Sequence, residues 1–146
     1  MFMTLLGLCI GVSASWSTPS EQASSVSYCD LLSAPQRYDK EIVATKALIR
    51  SSEHEVHVLD SECKSTVTDD RSASIELPNG WSSTKLGKRL SNILRHEGTA
   101  RVAFVAAFFG SGGPYGPERT RFHFVLQRLI SVDEVSKKEP NRLSHL

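Results

Sequence analysis

The chain has 146 residues, of which 17 are Lys or Arg and 16 are Asp or Glu, so its formal net charge at pH 7 is +1. This length fits one domain with one hydrophobic core and is short for two domains. The balanced charge excludes a global electrostatic field that would recruit nucleic acid or anionic lipid, so any charged ligand has to be met by a local group of side chains.

Residues 1–14 predict a secretory signal peptide. An apolar run over residues 5–12 is followed by small residues, and Val12 and Ala14 suit the positions that precede a signal-peptidase cleavage site. The run is too short to span the roughly 30 Å hydrocarbon core of a bilayer. We therefore expect a periplasmic or secreted protein that has no transmembrane helix after the signal is removed.

The predicted leader, residues 15–26, is rich in serine and has few apolar side chains, which is typical of a flexible tether. Cys29 and Cys63 remain as the cysteines of the mature chain. An even number of cysteines in an oxidising compartment favours a disulfide bond, here between the opening turn and the end of the second strand. The alternative is a pair of buried free thiols in a reduced protein. A metal site is the least favoured interpretation, because two cysteines supply only half of a tetrahedral shell.

A short helical turn opens the predicted domain, residues 27–135. Ser27 stands three residues before Asp30, as in a helix-capping pattern, and the next two residues are leucines. Pro35 then ends the turn, because a proline disfavours helical angles at the residue before it.

Three extended segments follow, and each has the residue pattern of a β-strand. Glu41–Ser51 is rich in β-branched and aliphatic residues, His54–Asp60 alternates valines with polar side chains, and Ala73–Leu77 is short and mostly apolar. The tripeptide Pro-Asn-Gly at residues 78–80 ends the third strand in a turn.

The hydrophobic period then changes, which predicts one amphipathic helix of about four turns. Its apolar stripe consists of Leu86, Leu90, Ile93 and Leu94. Ser82 or Ser83 is the expected N-cap of this helix, and Gly98 is the expected stop.

Two long strands complete the predicted elements. Thr99–Phe109 is apolar on both faces, which is typical of a central strand or of a closed barrel. A hairpin loop rich in glycine and proline, residues 110–120, connects it to Arg121–Val132, where apolar and polar side chains alternate. Residues 136–146 are polar and form the predicted tail.

Three strands, one helix and two strands is the element order of the OB-fold, a five-stranded Greek-key barrel. We therefore predict a mainly β protein with an OB-fold-like barrel and one α-helix between strands 3 and 4. An open α+β sandwich, with the helix on one face of an antiparallel sheet, is the alternative. The apolar residues on both faces of the fourth strand favour closure, because a closed barrel has no exposed sheet edges.

The segment from Asp30 to Val43, DLLSAPQRYDKEIV, resembles the D-L-L-x-x-P-x-x-Y-D-G-K-x-V opening of small exported bacterial proteins with OB-fold-like domains. Lys40 and Ala47 stand where such proteins often carry glycine. Most members of this group have no assigned activity. The resemblance therefore implies fold and export, and it carries over no catalytic residues.

An OB-like barrel presents its second and third strands, together with the loops after its first and fourth strands, as one ligand surface. In this chain the candidate ligand-binding residues on those elements are Arg50, His54, His57, Glu76, Tyr115, Arg119 and Arg121. We expect a monomeric binding or interaction module for a saccharide, a peptide or a protein. Single-stranded nucleic acid is an alternative ligand, disfavoured by the balanced charge and by the few aromatic residues on this face. A purely structural role in the envelope is the other alternative.

We expect no catalysis, no cofactor and no metal site. The chain has no G-x-S-x-G nucleophile motif, and the glycine cluster at residues 110–113 lacks the lysine and the helix of a phosphate-binding loop. His54 and His57 are three residues apart, so on a strand they point to opposite faces and cannot share one ion. His123, Arg121 and Gln127 lie on one face of the fifth predicted strand, and this pattern is typical of the solvated side of a hairpin.

Overall fold

The computed structural model of the protein describes residues 23–59, 63 and 72–135. The predicted signal peptide 1–14, residues 15–22 of the predicted leader and the predicted tail 136–146 lie outside the described residues. Within the described part, no helix combines the length and the apolar character needed to cross a membrane.

The six strands formed by the described residues belong to a single sheet. They are β1 (Ser24–Ser25), β2 (Ile42–Ser51), β3 (Val56–Leu59), β4 (Ala73–Glu76), β5 (Thr99–Phe109) and β6 (Phe122–Glu134). Strands β2 to β6 are the five predicted strands, in the predicted order. β3 begins later than expected, because residues 52–55 form the turn that joins it to β2.

The sheet closes into a barrel. The strand order is β2-β3-β4-β6-β5, and β5 pairs again with β2. β4 and β6 run parallel, whereas the other neighbouring strands of the barrel run antiparallel. The prediction of a mainly β, OB-fold-like barrel is therefore confirmed, and the chain does not adopt the alternative open sandwich.

Residues that precede the predicted domain start at residue 27 also pair with the barrel. β1 pairs in parallel with Val43 and Ala44 of β2, and the Val26 N–H donates a hydrogen bond of 3.0 Å to the Ala44 carbonyl. β3 pairs only with the segment Leu48–Ser51. The first half of β2 therefore offers an edge on this side, and the end of the predicted leader covers that edge.

A short helix, α1 (Tyr28–Ser33), follows β1. The Ser27 hydroxyl accepts a hydrogen bond of 3.1 Å from the Asp30 N–H, which confirms the predicted cap. A 3-10 turn at Pro35–Arg37 then leads the chain towards β2.

Two bonds fix α1 to the barrel. The predicted disulfide joins Cys29 to Cys63, and their Cα atoms are 5.3 Å apart. The buried Tyr28 side chain donates a hydrogen bond of 3.2 Å from its hydroxyl to the Val58 carbonyl of β3. The opening turn is thus covalently tied to the chain beyond β3.

The barrel interior is built on aromatic and aliphatic side chains. The largest fully buried residues are Phe104, Phe108, Phe124, Leu31, Ile49, Leu90, Val43, Val58 and Val102. The Phe124 ring lies 5.1 Å from the Phe108 ring and meets the Phe104 ring edge-to-face at 5.5 Å. Because Phe124 points inward, its neighbour His123 points to the outer face of β6.

The second helix, α2, spans 11 residues (Lys85–Arg95), one turn shorter than predicted. It buries Leu90, Ile93 and Leu94 against the barrel. Its N-cap is Thr84, whose hydroxyl accepts a hydrogen bond of 3.0 Å from the Gly87 N–H. The predicted caps were wrong, because both serines belong to a 3-10 turn at Trp81–Ser83. That turn packs so tightly on the helix that a Cβ atom on Gly87 would lie 1.9 Å from the Trp81 carbonyl oxygen.

Lys40 adopts a backbone conformation that suits glycine better. Its φ angle is 65°, in the left-handed region where a Cβ atom is strained. The Lys40 N–H donates a hydrogen bond of 2.7 Å to the Phe108 carbonyl, so the contact with β5 holds this conformation. The glycine of the resembling sequence pattern falls on this position.

We expect Lys40→Gly to raise the free energy of unfolding by about 0.5–1 kcal/mol, because it relieves the left-handed strain. Lys46→Gly is the matched control, since Lys46 is an exposed residue inside β2 with no positive φ. Glycine there should lower the free energy of unfolding by about 0.5–1 kcal/mol. Urea unfolding of both variants tests the prediction, and equal losses in the two would contradict it.

Candidate functional site

The strand register aligns four polar side chains on the outer face of the barrel. Arg50 of β2 pairs with His57 of β3, and His57 pairs with Ser74 of β4. Ser74 in turn pairs with His123 of β6. Directly paired residues point to the same face of a sheet. We refer to these four residues as the polar row.

A loop covers the middle of the polar row. His57 and Ser74 point away from the barrel core, yet only 8% and 4% of their surfaces are exposed. The covering segment is the β5–β6 loop, residues 110–121, which contacts the row through Glu118 and Tyr115. The chain's own loop therefore occupies part of the surface that the fold offers to ligands.

One contact between this loop and the barrel consists of two carboxylates and an imidazole. The Nε2 atom of His57 lies 2.7 Å from Oε2 of Glu118 and 4.0 Å from Oε1 of Glu55. The Ser52 hydroxyl donates a hydrogen bond of 2.5 Å to Oε1 of Glu118. The Glu118 N–H donates one of 3.1 Å to Oε1 of Glu55. We refer to Glu55, His57 and Glu118 as the His–Glu cluster.

The His–Glu cluster is largely enclosed. The side chains of Glu55 and His57 are each 10% exposed, and that of Glu118 is 36% exposed. The hydrogen bond from Ser52 lowers the pKa of Glu118, desolvation opposes this effect, and the nearby His57 adds to the lowering. Gly116 permits the close approach of the loop, since a Cβ atom there would lie 2.0 Å from Oε2 of Glu55.

A second polar contact links β4 to β6. The Ser74 hydroxyl lies 2.7 Å from Nδ1 of His123, and Oε2 of Glu76 lies 3.6 Å from Nε2 of the same ring. Serine, histidine and a carboxylate are also the groups of a nucleophilic triad. Here Ser74 is buried, and the Tyr115 ring stacks on the imidazole at 5.2 Å. The Ser74 hydroxyl is therefore shielded from solvent, and its contact with His123 joins β4 to β6.

An open groove lies at the start and the end of the β5–β6 loop. It has a volume of about 420 Å³ and is lined by Gln36, Gly110, Ser111, Gly112, Gly113, Pro114, Arg119 and Arg121. Both arginines are exposed, and within the described residues neither has a carboxylate within 4.0 Å. The Arg121 guanidinium rests 5.2 Å from the centre of the Phe122 ring. The groove therefore presents two cations that have no acidic partner in this part of the chain.

Asp39 anchors the start of the β5–β6 loop. Its Oδ1 atom accepts hydrogen bonds from the Gly110 N–H at 2.8 Å and the Ser111 N–H at 3.1 Å. The Ser111 hydroxyl donates a third bond of 2.7 Å to Oδ2. The bond from the Ser111 side chain is the largest cause of the lowered pKa of Asp39, and the two backbone bonds add to it against desolvation.

The structure brings together some of the predicted site residues and separates others. The polar row contains Arg50 and His57, whereas His54 is exposed in the turn before β3. Glu76 and Tyr115 both meet His123, at the β4–β6 side of the same face. The remaining predicted residues are Arg119 and Arg121, which line the groove.

Several residues of the site were missed from the sequence. Glu55 could have been found, because it precedes His57 by two residues and an extended chain places both on one face. Ser52 begins the turn that contains Glu55 and precedes β3. Glu118 is 61 positions after His57 by residue number, in a loop, and no periodicity connects the two.

Comparisons of the chain with protein-family models, with curated proteins and with solved structures found no match. The functional interpretation therefore rests on the contacts described above.

We expect the stabilising effect of Asp39 to depend on pH. A carboxyl with a lowered pKa in the folded state stabilises the fold above its ordinary pKa, about 4, and this contribution is lost as pH falls through the lowered value. Urea unfolding should show that Asp39→Asn is less stable than the parent protein at pH 7, with a difference that shrinks towards pH 3.

Ser111→Ala is the matched variant for this prediction, because it removes the side-chain bond that lowers the pKa of Asp39 most and keeps the carboxylate. It should reduce the pH dependence in part. A stability difference between Asp39→Asn and the parent protein that stays constant from pH 7 to pH 3 would contradict the prediction.

Proposed function

We propose that the protein is a monomeric, extracytoplasmic binding or interaction module. Its ligand is a saccharide, a peptide or a protein segment that presents carboxylate groups to the groove beside the β5–β6 loop. The observation that carries this proposal is the pair of exposed arginines, Arg119 and Arg121, which lack acidic partners within the described residues. Catalysis is not part of the proposal.

Arginine side chains are suited to this role. The planar guanidinium donates two parallel hydrogen bonds to a carboxylate, and such charge-assisted bonds are stronger than neutral ones. Gly110, Gly112 and Gly113 also line the groove, so a ligand can approach the loop backbone closely. An acidic ligand would thus meet both charged and backbone groups.

The disulfide supports the extracytoplasmic location. A bond between Cys29 and Cys63 persists in oxidising compartments and is rare in a reducing cytosol. The apolar run of residues 5–12 points in the same direction.

The aromatic side chains of this face favour such a ligand over single-stranded nucleic acid. Proteins that bind single strands stack bases on free aromatic rings. Here Tyr115 already stacks on His123, and Phe109 packs against both rings at 6.5 Å and 6.1 Å. These three rings therefore pack against one another, which leaves less of their surface available for stacking with bases.

Fluorescence anisotropy with four labelled probes tests the proposal. The probes are a hexaglutamate peptide, an oligouronate, a neutral oligosaccharide and an oligothymidylate. We expect the acidic peptide or the oligouronate to bind and the neutral saccharide not to bind. The combined variant Arg119→Ala and Arg121→Ala should weaken binding by about a hundredfold or more, because each of the two lost charge-assisted bonds costs about 1.5–3 kcal/mol.

The matched control is the combined variant Arg95→Ala and Arg101→Ala, which removes the same charge from exposed positions outside the groove. It should leave binding nearly unchanged. Equal losses in the two double variants, or no binding of either acidic probe, would contradict the proposal. Tighter binding of the oligothymidylate through Arg119 and Arg121 would instead establish the nucleic-acid alternative.

A further inference from the structure

We propose that the His–Glu cluster is a binding site for one divalent transition-metal ion, best matched by Zn²⁺, and that the bound ion fixes the β5–β6 loop to the barrel. The ligands are Nε2 of His57 and one carboxylate oxygen each from Glu55 and Glu118. This inference goes beyond the proposed binding function and does not rest on it, because the groove arginines take no part in the cluster.

The donor set fits zinc chemistry. An imidazole nitrogen and carboxylate oxygens are ligands of Zn²⁺, whereas Ca²⁺ and Mg²⁺ prefer oxygen alone. Three protein ligands leave a fourth position for water or for the Ser52 hydroxyl, whose oxygen lies 3.3 Å from Nε2 of His57. The histidine pair considered from the sequence does not form this site, because His54 lies outside the cluster.

The geometry requires only small side-chain movements. The three ligand atoms all lie within 4.8 Å of one another. In a tetrahedral site with bonds of about 2.0–2.1 Å, ligand atoms are about 3.3 Å apart. The observed distances from His57 Nε2 are 2.7 Å to Glu118 and 4.0 Å to Glu55, one below and one above that value. To surround one ion, the Glu118 oxygen would have to move away from His57 Nε2 and the Glu55 oxygen towards it, each by less than about 1 Å in separation.

The net negative charge of the His–Glu cluster favours binding of a cation. The two carboxylates carry more negative charge than one imidazole can neutralise, whether the ring is protonated or not. No Lys or Arg nitrogen within the described residues lies within 4.0 Å of Glu55 or Glu118. Because the side chains of Glu55 and His57 are nine-tenths buried, water screens this excess negative charge poorly. A divalent ion bound to two carboxylates and a neutral imidazole balances the charge.

The surroundings of His57 also limit the expected affinity. Its Nδ1 atom is buried and has no hydrogen-bond partner within the described residues. Metal-binding histidines usually donate a hydrogen bond from their second nitrogen, and loss of such a partner weakens metal binding by about 10–100-fold. We therefore expect weaker binding than in a dedicated structural zinc site with the same ligands.

Isothermal titration of the full chain with ZnCl₂, after removal of metals with a chelator, tests the proposal. We expect one ion per chain, no binding heat with CaCl₂ or MgCl₂, and visible absorption bands of tetrahedral Co²⁺ when CoCl₂ replaces ZnCl₂. Zn²⁺ should also slow proteolysis within the β5–β6 loop, because Glu118 is the ligand that this loop supplies.

Glu118→Gln is the decisive variant, because it keeps the size of a partly exposed side chain and removes a ligand charge. It should weaken Zn²⁺ binding by about tenfold or more and abolish the cobalt bands. Glu76→Gln is the matched control, since this exposed glutamate lies beside the other histidine of the same face. It should leave Zn²⁺ affinity unchanged.

Three results would overturn the proposal. They are the absence of Zn²⁺ binding by the parent protein, unchanged Zn²⁺ affinity in Glu118→Gln, and a loss of affinity in Glu76→Gln equal to that in Glu118→Gln. Circular dichroism of each variant separates a lost ligand from a lost fold. Both arginines of the groove remain in these variants, so failure of the zinc test would not by itself contradict the proposed binding of acidic ligands.

Discussion

The pairing of β2 on both of its edges is the constraint on which the rest of the structure depends. β2 pairs with β5 from Ile42 to Arg50 and with β3 from Leu48 to Ser51, so one long strand joins the two ends of the sheet. Closure of this kind leaves few open edges and fixes which side chains face inward. A shift of β2 by one residue would exchange its inner and outer side chains, which would expel Val43 and Ile49 from the core.

The same register determines where chemistry can occur. The barrel interior is filled mainly with aromatic and aliphatic side chains, with Thr45 of β2 as a buried polar exception, so clusters of polar groups form on the outer face and in the loops. The polar row follows directly from the pairing of β2, β3, β4 and β6. The β5–β6 loop is held over this row by Asp39 at its beginning, by stacking of Tyr115 on His123, and by the His–Glu cluster near its end. The shape of this outer surface is therefore set by a loop that is fixed to the barrel at its beginning and near its end.

The sequence predicted the features that depend on local pattern. β5 was predicted with its observed bounds, since its length and its two apolar faces left few other interpretations. The Ser27 cap and the disulfide also followed from short-range patterns and from cysteine count. The Thr84 cap was missed because three successive hydroxyl residues compete there, and packing of the Trp81–Ser83 turn against Gly87 decides among them.

The candidate site was predicted less completely, because its contacts join segments that are distant along the chain. The predicted strands contain Arg50, His57 and Glu76, and the structure places these residues in the corresponding strands β2, β3 and β4. Nothing in the sequence indicated that Glu118 would fold back onto His57, because the path of a glycine- and proline-rich loop depends on tertiary contacts. The ordering of β1 was missed for the same reason, since only the uncovered edge of β2 gives this polar segment a partner.

The adjacency of Glu118 and Arg119 has a thermodynamic consequence. The two residues are consecutive, yet one faces the His–Glu cluster and the other lines the groove, and Arg119 has a φ angle of 55° at this change of direction. A ligand that displaces either side chain displaces a backbone segment common to both. If both surfaces bind as proposed, occupancy of one would alter the affinity of the other, and reciprocity would require the same factor in both directions.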